Sequence, residues 1–408
     1  MGGFVMKPII STGAEIQRDW DFFHQIKDDN NWSENSRQKR LALLADFLGI
    51  EIPTLSSTSL KSEQMQGNIE NFIGSVEIPV GLAGPLYFFG DHVHGPVLMP
   101  LATSEGALVA SACRGAKLLN ACGGVHTTHL GSQMTRAPAF TCRNADQAVR
   151  LGTWVEQHLN ELKATIQEEH AQLLRVKPII HGRSLSLEFF FTTGDAAGQN
   201  MSTIATGHCC EWILKHAAEL DIEIMRHTIE SGFSGDKKLS HLNFAEGRGS
   251  RVIAEAWIDE AEMQKIMRVS TQDCIRTFLS DVPNYFLNGS VACNSNTANI
   301  IAAVFTATGQ DIACVHESSL GQICLEQDDK GMYVSLLMPC LVVGTVGGGT
   351  RLPSQTDALK MMGCQGTGTK ERLAETIAGY CLALELSTMS AAIEGTFISA
   401  HSRLGRHH

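Results

Sequence analysis

From Glu70 onward the chain is cut into short apolar runs by glycine and proline, as at Ile73-Gly74, Pro79 and Gly84-Pro85. Runs of that length with turn residues between them read as strands and tight turns, which excludes a plain helical bundle for most of the molecule. Residues 1–69 differ: they are polar and charged, with helical spacing over 20–26 and 40–48, and predict a helical N-terminal layer. At 408 residues the chain is too long for one ordinary core.

The later segments alternate between the two periods. A helix is expected to start at Thr103-Ser104, whose hydroxyls can cap its free amides, to carry Leu108, Ala112, Gly115 and Leu119 on one face, and to stop at Gly123-Gly124. A polar helix is expected over 146–167. Residues 184–191 alternate as a strand ending at Gly194-Asp195, and 200–220 resume helical spacing. The last third holds apolar core segments around 300–306 and 334–346. It ends in a helix over 372–389 with Leu373, Ile377, Cys381, Leu384 and Thr388 as its inner stripe.

Composition narrows the function. The 32 basic residues against 43 acidic ones leave a net charge of −11, which argues against a general nucleic-acid binder. An anionic ligand therefore requires a local basic pocket. The 12 cysteines are scattered without a CxxC pair, and read as free thiols of a reducing cytosol and not as a zinc site. No signal-peptide pattern opens the chain, and no apolar run approaches the ~20 residues that cross a bilayer. The expectation is a cytoplasmic protein without membrane or metal.

Several residue groups can carry chemistry, each beside a plainer role. Asp195-Ala-Ala-Gly-Gln-Asn200 runs from a strand into a helix start, where backbone amides can face a pyrophosphate; Asp195, Gly198, Gln199 and Asn200 are its candidate contacts. Gly344-Thr-Val-Gly-Gly-Gly-Thr350 is neither G-x-G-x-x-G nor a P-loop. It is a tight turn or a ligand contact, the latter through Gly347 and Gly348. Lys237 and Lys238 sit in a loop that is otherwise a solvated turn, with Arg248 close by in sequence. Glu105 reads as a first-turn carboxylate favoured by the helix dipole. Asp311 is a cap, a lysine partner or an acid, and His401 lies near the C-terminus.

Taken together, these strings resemble the 3-hydroxy-3-methylglutaryl-CoA (HMG-CoA) reductase family. Glu70-Asn-Phe-Ile-Gly74 with Pro79-Val-Gly-Leu-Ala-Gly-Pro85 is similar to its dimer-interface signature. Ala102-Thr-Ser-Glu-Gly106, Asp195-Ala-Ala-Gly-Gln-Asn-Met201, Asp236-Lys-Lys238, Gly309-Gln-Asp311 and Gly344–Thr350 follow in the family's order. The pattern resembles class I without a membrane anchor. The resemblance implies an α+β fold: a large α/β domain (70–137 and 239–401) interrupted by a small ferredoxin-like nucleotide-binding domain (138–230), with 231–238 as a connecting catalytic loop. It implies a dimer at minimum, with sites shared between subunits, and further a dimer of dimers. It also implies HMG-CoA reduced to mevalonate by two NADPH.

By the same resemblance Lys237 stabilises an oxyanion, Glu105 is the acid, Asp311 holds both in one network, and His401 protonates the departing thiolate from a closing flap. Glu105 would need burial to stay protonated against the helix dipole. Ser111, Arg136, Ser231, Lys238 and Asn299 resemble substrate contacts, and Arg114 could meet the CoA phosphates. The chain also departs from the family. No lysine occurs between Lys265 and Lys330, where one usually pairs the substrate's terminal carboxylate; Arg276 is the nearest cation, and a family histidine stands as Asn296. Glu168-Glu169 aligns where a 2′-phosphate would sit, which keeps NADH open beside NADPH, and Arg175 or Lys177 could serve in its place. The other readings are a related acyl thioester as substrate, or a non-catalytic acyl-CoA binder.

Overall fold

The punctuated runs fold as strands. The computed structural model describes residues 31–395, and the chain divides into two compact units, Met1–Ile78 and Pro79–His408. In the first, helix Glu34–Leu48 starts at Ser33, whose hydroxyl accepts from the Ser36 amide, and stops at Gly49 with φ 66°. The buried Arg37 and Arg40 guanidiniums satisfy backbone carbonyls of Ser56, Ile73, Phe72 and Asn31. The expected 20–26 helix lies outside the described residues.

The second unit is built on ten strands among the described residues. These are β1 (Val80–Gly90), β2 (His94–Ala102), β3 (Val125–Arg136), β4 (Ala139–Cys142), β5 (Gln172–His181), β6 (Ser184–Thr192), β7 (Ile224–Thr228), β8 (Gly249–Asp259), β9 (Gln322–Asp328) and β10 (Gly331–Leu341). One sheet runs β2-β1-β3-β8-β10-β9, antiparallel except at β1–β3. The long β3 leaves it and pairs through Met134–Arg136 with β6, joining a second sheet ordered β7-β4-β6-β5. Residues 139–228 thus trace β4-α-β5-β6-α-β7 with antiparallel order 4-1-3-2, the ferredoxin-like arrangement. This segment has a core of its own, from Phe140 and Leu151 to Phe189, Cys209 and Ile213.

Helix Lys370–Glu394 lies at the centre of the other core. It is long and apolar enough to cross a membrane, yet 83% of its most apolar window is buried inside the molecule, so it is a core helix. The expected inner stripe widens to the whole circumference, since every residue from Leu373 to Ser387 is buried. Helix Leu108–Ala121 packs on it so closely that a Cβ at Gly115 would come within 1.8 Å of the Ala383 carbonyl oxygen.

Three boundaries move. The helix expected at Thr103-Ser104 begins only at Leu108, because Ala107 turns left-handed at φ 73°. The Thr103 hydroxyl instead accepts from the Glu105 amide at 3.0 Å. The 146–167 helix is two, Ala145–Gln157 and Leu159–Thr165, broken at His158. Helix Gln199–Ala217 gives way to a 3-10 turn over Ala218–Leu220.

Candidate active site

The loop after β7 brings the most charge together. Lys237 takes a left-handed backbone, φ 55°, although it is not glycine. Its N–H donates to Glu317 Oε1 at 3.2 Å, and Glu317 is fully buried. Arg248, also fully buried, bridges Glu317 Oε1 (2.6 Å) and Asp236 Oδ1 (2.7 Å). Arg136 reaches Asp236 Oδ2 at 2.9 Å and Thr203 Oγ1 at 2.8 Å. Two buried cations and two carboxylates thus fix the backbone on either side of the lysine.

The Lys237 ammonium meets Asp311 Oδ2 at 3.0 Å. That hydrogen bond holds the lysine above its ordinary pKa despite partial burial. Burial pushes the Asp311 carboxyl up, but the Lys237 hydrogen bond and charge outweigh it, so it sits below the usual carboxylate range. Gln199 Nε2 donates to the same oxygen at 3.0 Å. Asp311 Oδ1 accepts from the Ala313 amide at 3.1 Å, so the carboxylate is a cap and a lysine partner at once.

Glu105 lies elsewhere. Asn299 Nδ2, in the first turn of helix Thr297–Thr308, donates to Glu105 Oε2 at 2.7 Å. Glu105 is exposed and precedes its helix by three residues, so neither the first-turn position nor the burial expected of it is found. Among the described residues no hydrogen bond or ion pair joins Glu105 to the Lys237–Asp311 pair. The single network expected around Asp311 is therefore two pairs in this chain. His401 lies outside the described residues.

The glycine segments meet. Gln310 clamps Gly344, donating to its carbonyl at 2.9 Å and accepting its amide at 2.8 Å. A Cβ at Gly344 would lie 2.5 Å from Ala197 N, and one at Gly349 would lie 2.6 Å from Gly309 O. Gly347 and Gly348 are exposed, with open space where a side chain would stand. Gly198, φ 85°, starts helix Gln199–Ala217 without a side-chain cap on its first amides. The Asp195 carboxylate is engaged within the protein. Its Oδ1 accepts from the Thr369 (3.2 Å) and Lys370 (3.3 Å) amides, capping the core helix. Lys370, whose pKa burial lowers, donates to Gly194 O at 2.7 Å.

Ser111 Oγ bonds Ser387 Oγ at 2.8 Å, and Arg114 Nε donates to the same hydroxyl at 2.9 Å and through Nη2 to the Ser387 carbonyl. Ser231 Oγ donates to Ala137 O at 2.8 Å, and Lys238 Nζ to Asp236 O at 3.2 Å. Asn200 is exposed at the helix start. Glu168 stands 3.6 Å from His208 Nδ1 in the loop before β5, where Glu169 is exposed. Arg175 and Lys177, the alternative phosphate contacts, are paired with Glu246 at 3.0 and 2.9 Å. Asp236, Cys314 and Glu317 cluster closely enough for a metal, but Arg248 already answers both carboxylates and burial pushes the Cys314 thiol up, keeping it neutral.

The model of the family described as hydroxymethylglutaryl-coenzyme A reductase matches residues 36–406. The chain belongs to the hydroxymethylglutaryl-CoA reductase family. It is 37% identical over 381 residues to the 3-hydroxy-3-methylglutaryl-coenzyme A reductase of Methanocaldococcus jannaschii, spanning 92% of this chain and 94% of that one. It is 40% identical over 401 residues to the Pyrococcus abyssi protein of the same name, spanning 94% and 96%. A class II 3-hydroxy-3-methylglutaryl-CoA reductase from Streptococcus pneumoniae, solved bound to NADPH, shares the fold at TM-score 0.63 and 16% identity, over 94% of this chain and 87% of that one.

Sequence reasoning missed Glu317 and Glu385. Arg248 carried a signal as a cation in a Gly-flanked turn, but Glu317 lies in a four-residue helix with nothing to mark it. Glu385 interrupts an apolar helical pattern, which was the available clue: a carboxylate in a buried stripe needs donors.

Proposed function

We propose that this chain reduces 3-hydroxy-3-methylglutaryl-CoA to mevalonate, with NADPH as reductant, at a site completed by a second copy of the chain. The observation that carries the chemistry is the Lys237–Asp311 pair at 3.0 Å, on a loop pinned by buried charges. Family membership supports the substrate.

The nicotinamide supplies a hydride in each of two reductive steps. Lys237, charged and anchored, stabilises the negative oxygen that develops at the reacting carbon. Asp311 keeps the ammonium charged and in place. Glu105, oriented by Asn299, delivers a proton to that oxygen, and His401 protonates the thiolate that leaves. Ser111, Arg114, Arg136, Ser231 and Lys238 line the substrate path; Arg114 and Lys238 add the local positive charge that an acidic protein needs for a polyanion. The residues fit a dinucleotide: Gly347 and Gly348 are exposed with open space around them, and helix Gln199–Ala217 starts without a side-chain cap. Asp195 serves that site through the fold, by capping the core helix.

The ferredoxin-like segment, 138–230, is the nucleotide-binding domain of this reading, set into the large domain of 70–137 and 239–401, with 231–238 as the loop between. The six motifs support the class I type. The separation of Glu105–Asn299 from Lys237–Asp311 supports a dimer, since facing subunits would unite the pairs; a dimer of dimers follows the family resemblance. One observation favours a second reading, a related 3-hydroxyacyl thioester. No lysine lies between Lys265 and Lys330 to meet a terminal carboxylate, and Arg276 is exposed on its helix.

Nicotinamide absorbance with purified protein tests this. Mevalonate formed at about two NADPH per thioester, and lost in Lys237→Ala, is the expected result. Folded protein inert toward HMG-CoA with both NADPH and NADH would overturn the assignment. NADH run in parallel tests whether Glu168 and Glu169 exclude the 2′-phosphate.

A further inference from the structure

Helix Thr297–Thr308 is apolar and begins without a cap of its own, since the Asn296 side chain takes none of its amides. The amides leading into it, and that of Thr297 at its first position, are satisfied from a distant helix. Glu385 Oε2 accepts from Ser295 N and Oε1 from Asn296 N, each at 2.7 Å. One turn further along the core helix, Thr388 Oγ1 accepts from Asn296 Nδ2, also at 2.7 Å. Glu385 is fully buried and makes no ion pair among the described residues. It faces backbone amides and the Ser295 hydroxyl, and burial pushes its pKa up: a carboxylate without a cation is costly to hold in an apolar core. What it provides is direction: two short charge-assisted bonds fix where the helix starts and how its first turn is rotated. That turn presents Asn299, whose Nδ2 holds Glu105 Oε2 at 2.7 Å. The same turn of the core helix carries Ser387, which both Ser111 and Arg114 grip.

We propose that Glu385 is a positioning residue for the Glu105–Asn299 pair, acting by capping, from outside, the helix that carries Asn299. This rests on the reading of Glu105 as acid and Asn299 as the residue that orients it. The mechanism is mechanical. Glutamine keeps the shape of Glu385 but offers one acceptor, so its amino group would face a backbone N–H and the first turn would have to shift.

The test is a double-mutant cycle on the full chain with HMG-CoA and NADPH, combining Glu385→Gln with Asn299→Ala. Thermal unfolding and nicotinamide affinity are measured on every variant. In the wild-type background Glu385→Gln is expected to lower kcat on the order of ten- to a hundredfold, the scale of a small misplacement of a reacting group, with nicotinamide affinity unchanged. In the Asn299→Ala background the same change is expected to cost less than about twofold, because the residue it acts through is gone. A merely structural cap would lower stability alike in both backgrounds, and the losses in kcat would multiply; that result, or a kcat within about twofold of wild type, overturns the proposal. If Glu385→Gln does not fold, Thr388→Val takes its place in the cycle and is judged by the same coupling. Failure of the underlying reading is separate: Asn299→Ala and Glu105→Gln would then both turn over like wild type.

Discussion

Lys237 shows how much of a proposed catalytic position one residue's surroundings decide. A non-glycine residue in the left-handed region costs roughly 1–2 kcal/mol, and here the backbone N–H bond to buried Glu317 holds it there. Glu317→Ala would leave the fully buried Arg248 without that partner, so it should cost about 3–5 kcal/mol by chemical denaturation. A loss below about 1 kcal/mol would mean water replaces the carboxylate at little expense. The lysine was legible in the sequence as a motif; its strained backbone was not, because no glycine or asparagine marks it.

The Lys237–Asp311 pair also sets a pH window. A depressed carboxylate contributes stability above its unfolded pKa, about 3.9, and loses it as pH falls through the lower folded value. A raised lysine contributes below its unfolded pKa, about 10.4, and loses it as pH rises through the higher folded value. With Asp311 lowered and Lys237 raised, the pair is intact between those limits, and no limb of the pH–rate profile there belongs to it. Asp311→Asn removes the negative charge and weakens the hydrogen bond that raises the lysine most, so the alkaline limb of kcat should move to lower pH. An unmoved limb would show that another group sets the ammonium.

At the scale of elements, the glycines act by closeness as much as by turning. Gly344 lies against Ala197 and Gly309 against Gly349, so three separate strings of sequence become one surface. The sequence shows the strings, but not that they touch, because the Gln310 clamp spans 34 residues and has no periodicity. Gly344→Ala would place its Cβ 2.5 Å from Ala197 N and push the Asp195–Asn200 turn away. Overpacking of that kind costs about 1–3 kcal/mol, and the NADPH dissociation constant should rise with it while HMG-CoA affinity holds. Equal loss of both affinities would place the turn outside the nucleotide site. The helix boundary near Glu105 differs from the sequence expectation for a related reason. Thr103 looked like a helix cap, but its hydroxyl spends itself on Glu105 two residues on, and the left-handed Ala107 delays the helix to Leu108.

In the second unit the proposed chemistry sits in two places. One chain holds Lys237 on Asp311 and, apart from them, Glu105 on Asn299, while apolar residues of β1 such as Val80 (61% exposed) and Leu82 (49%) face outward. Sequence order gave the residues of both pairs but could not give their separation, since motif lists carry no distances. If the pairs unite across a twofold axis, each site takes Glu105 from one chain and Lys237 from the other. Glu105→Gln and Lys237→Ala proteins are then each inactive alone, while a hybrid dimer has one intact site and one site lacking both groups. Refolded together in equal amounts, they form hybrids as about half of all dimers, so the mixture should recover about a quarter of wild-type activity. Sites built within single chains would recover nothing, because every site in every dimer would still lack one group. Recovery that appears only after subunit exchange, and scales with the fraction of hybrid measured by native mass spectrometry, distinguishes shared sites from contamination by wild-type protein.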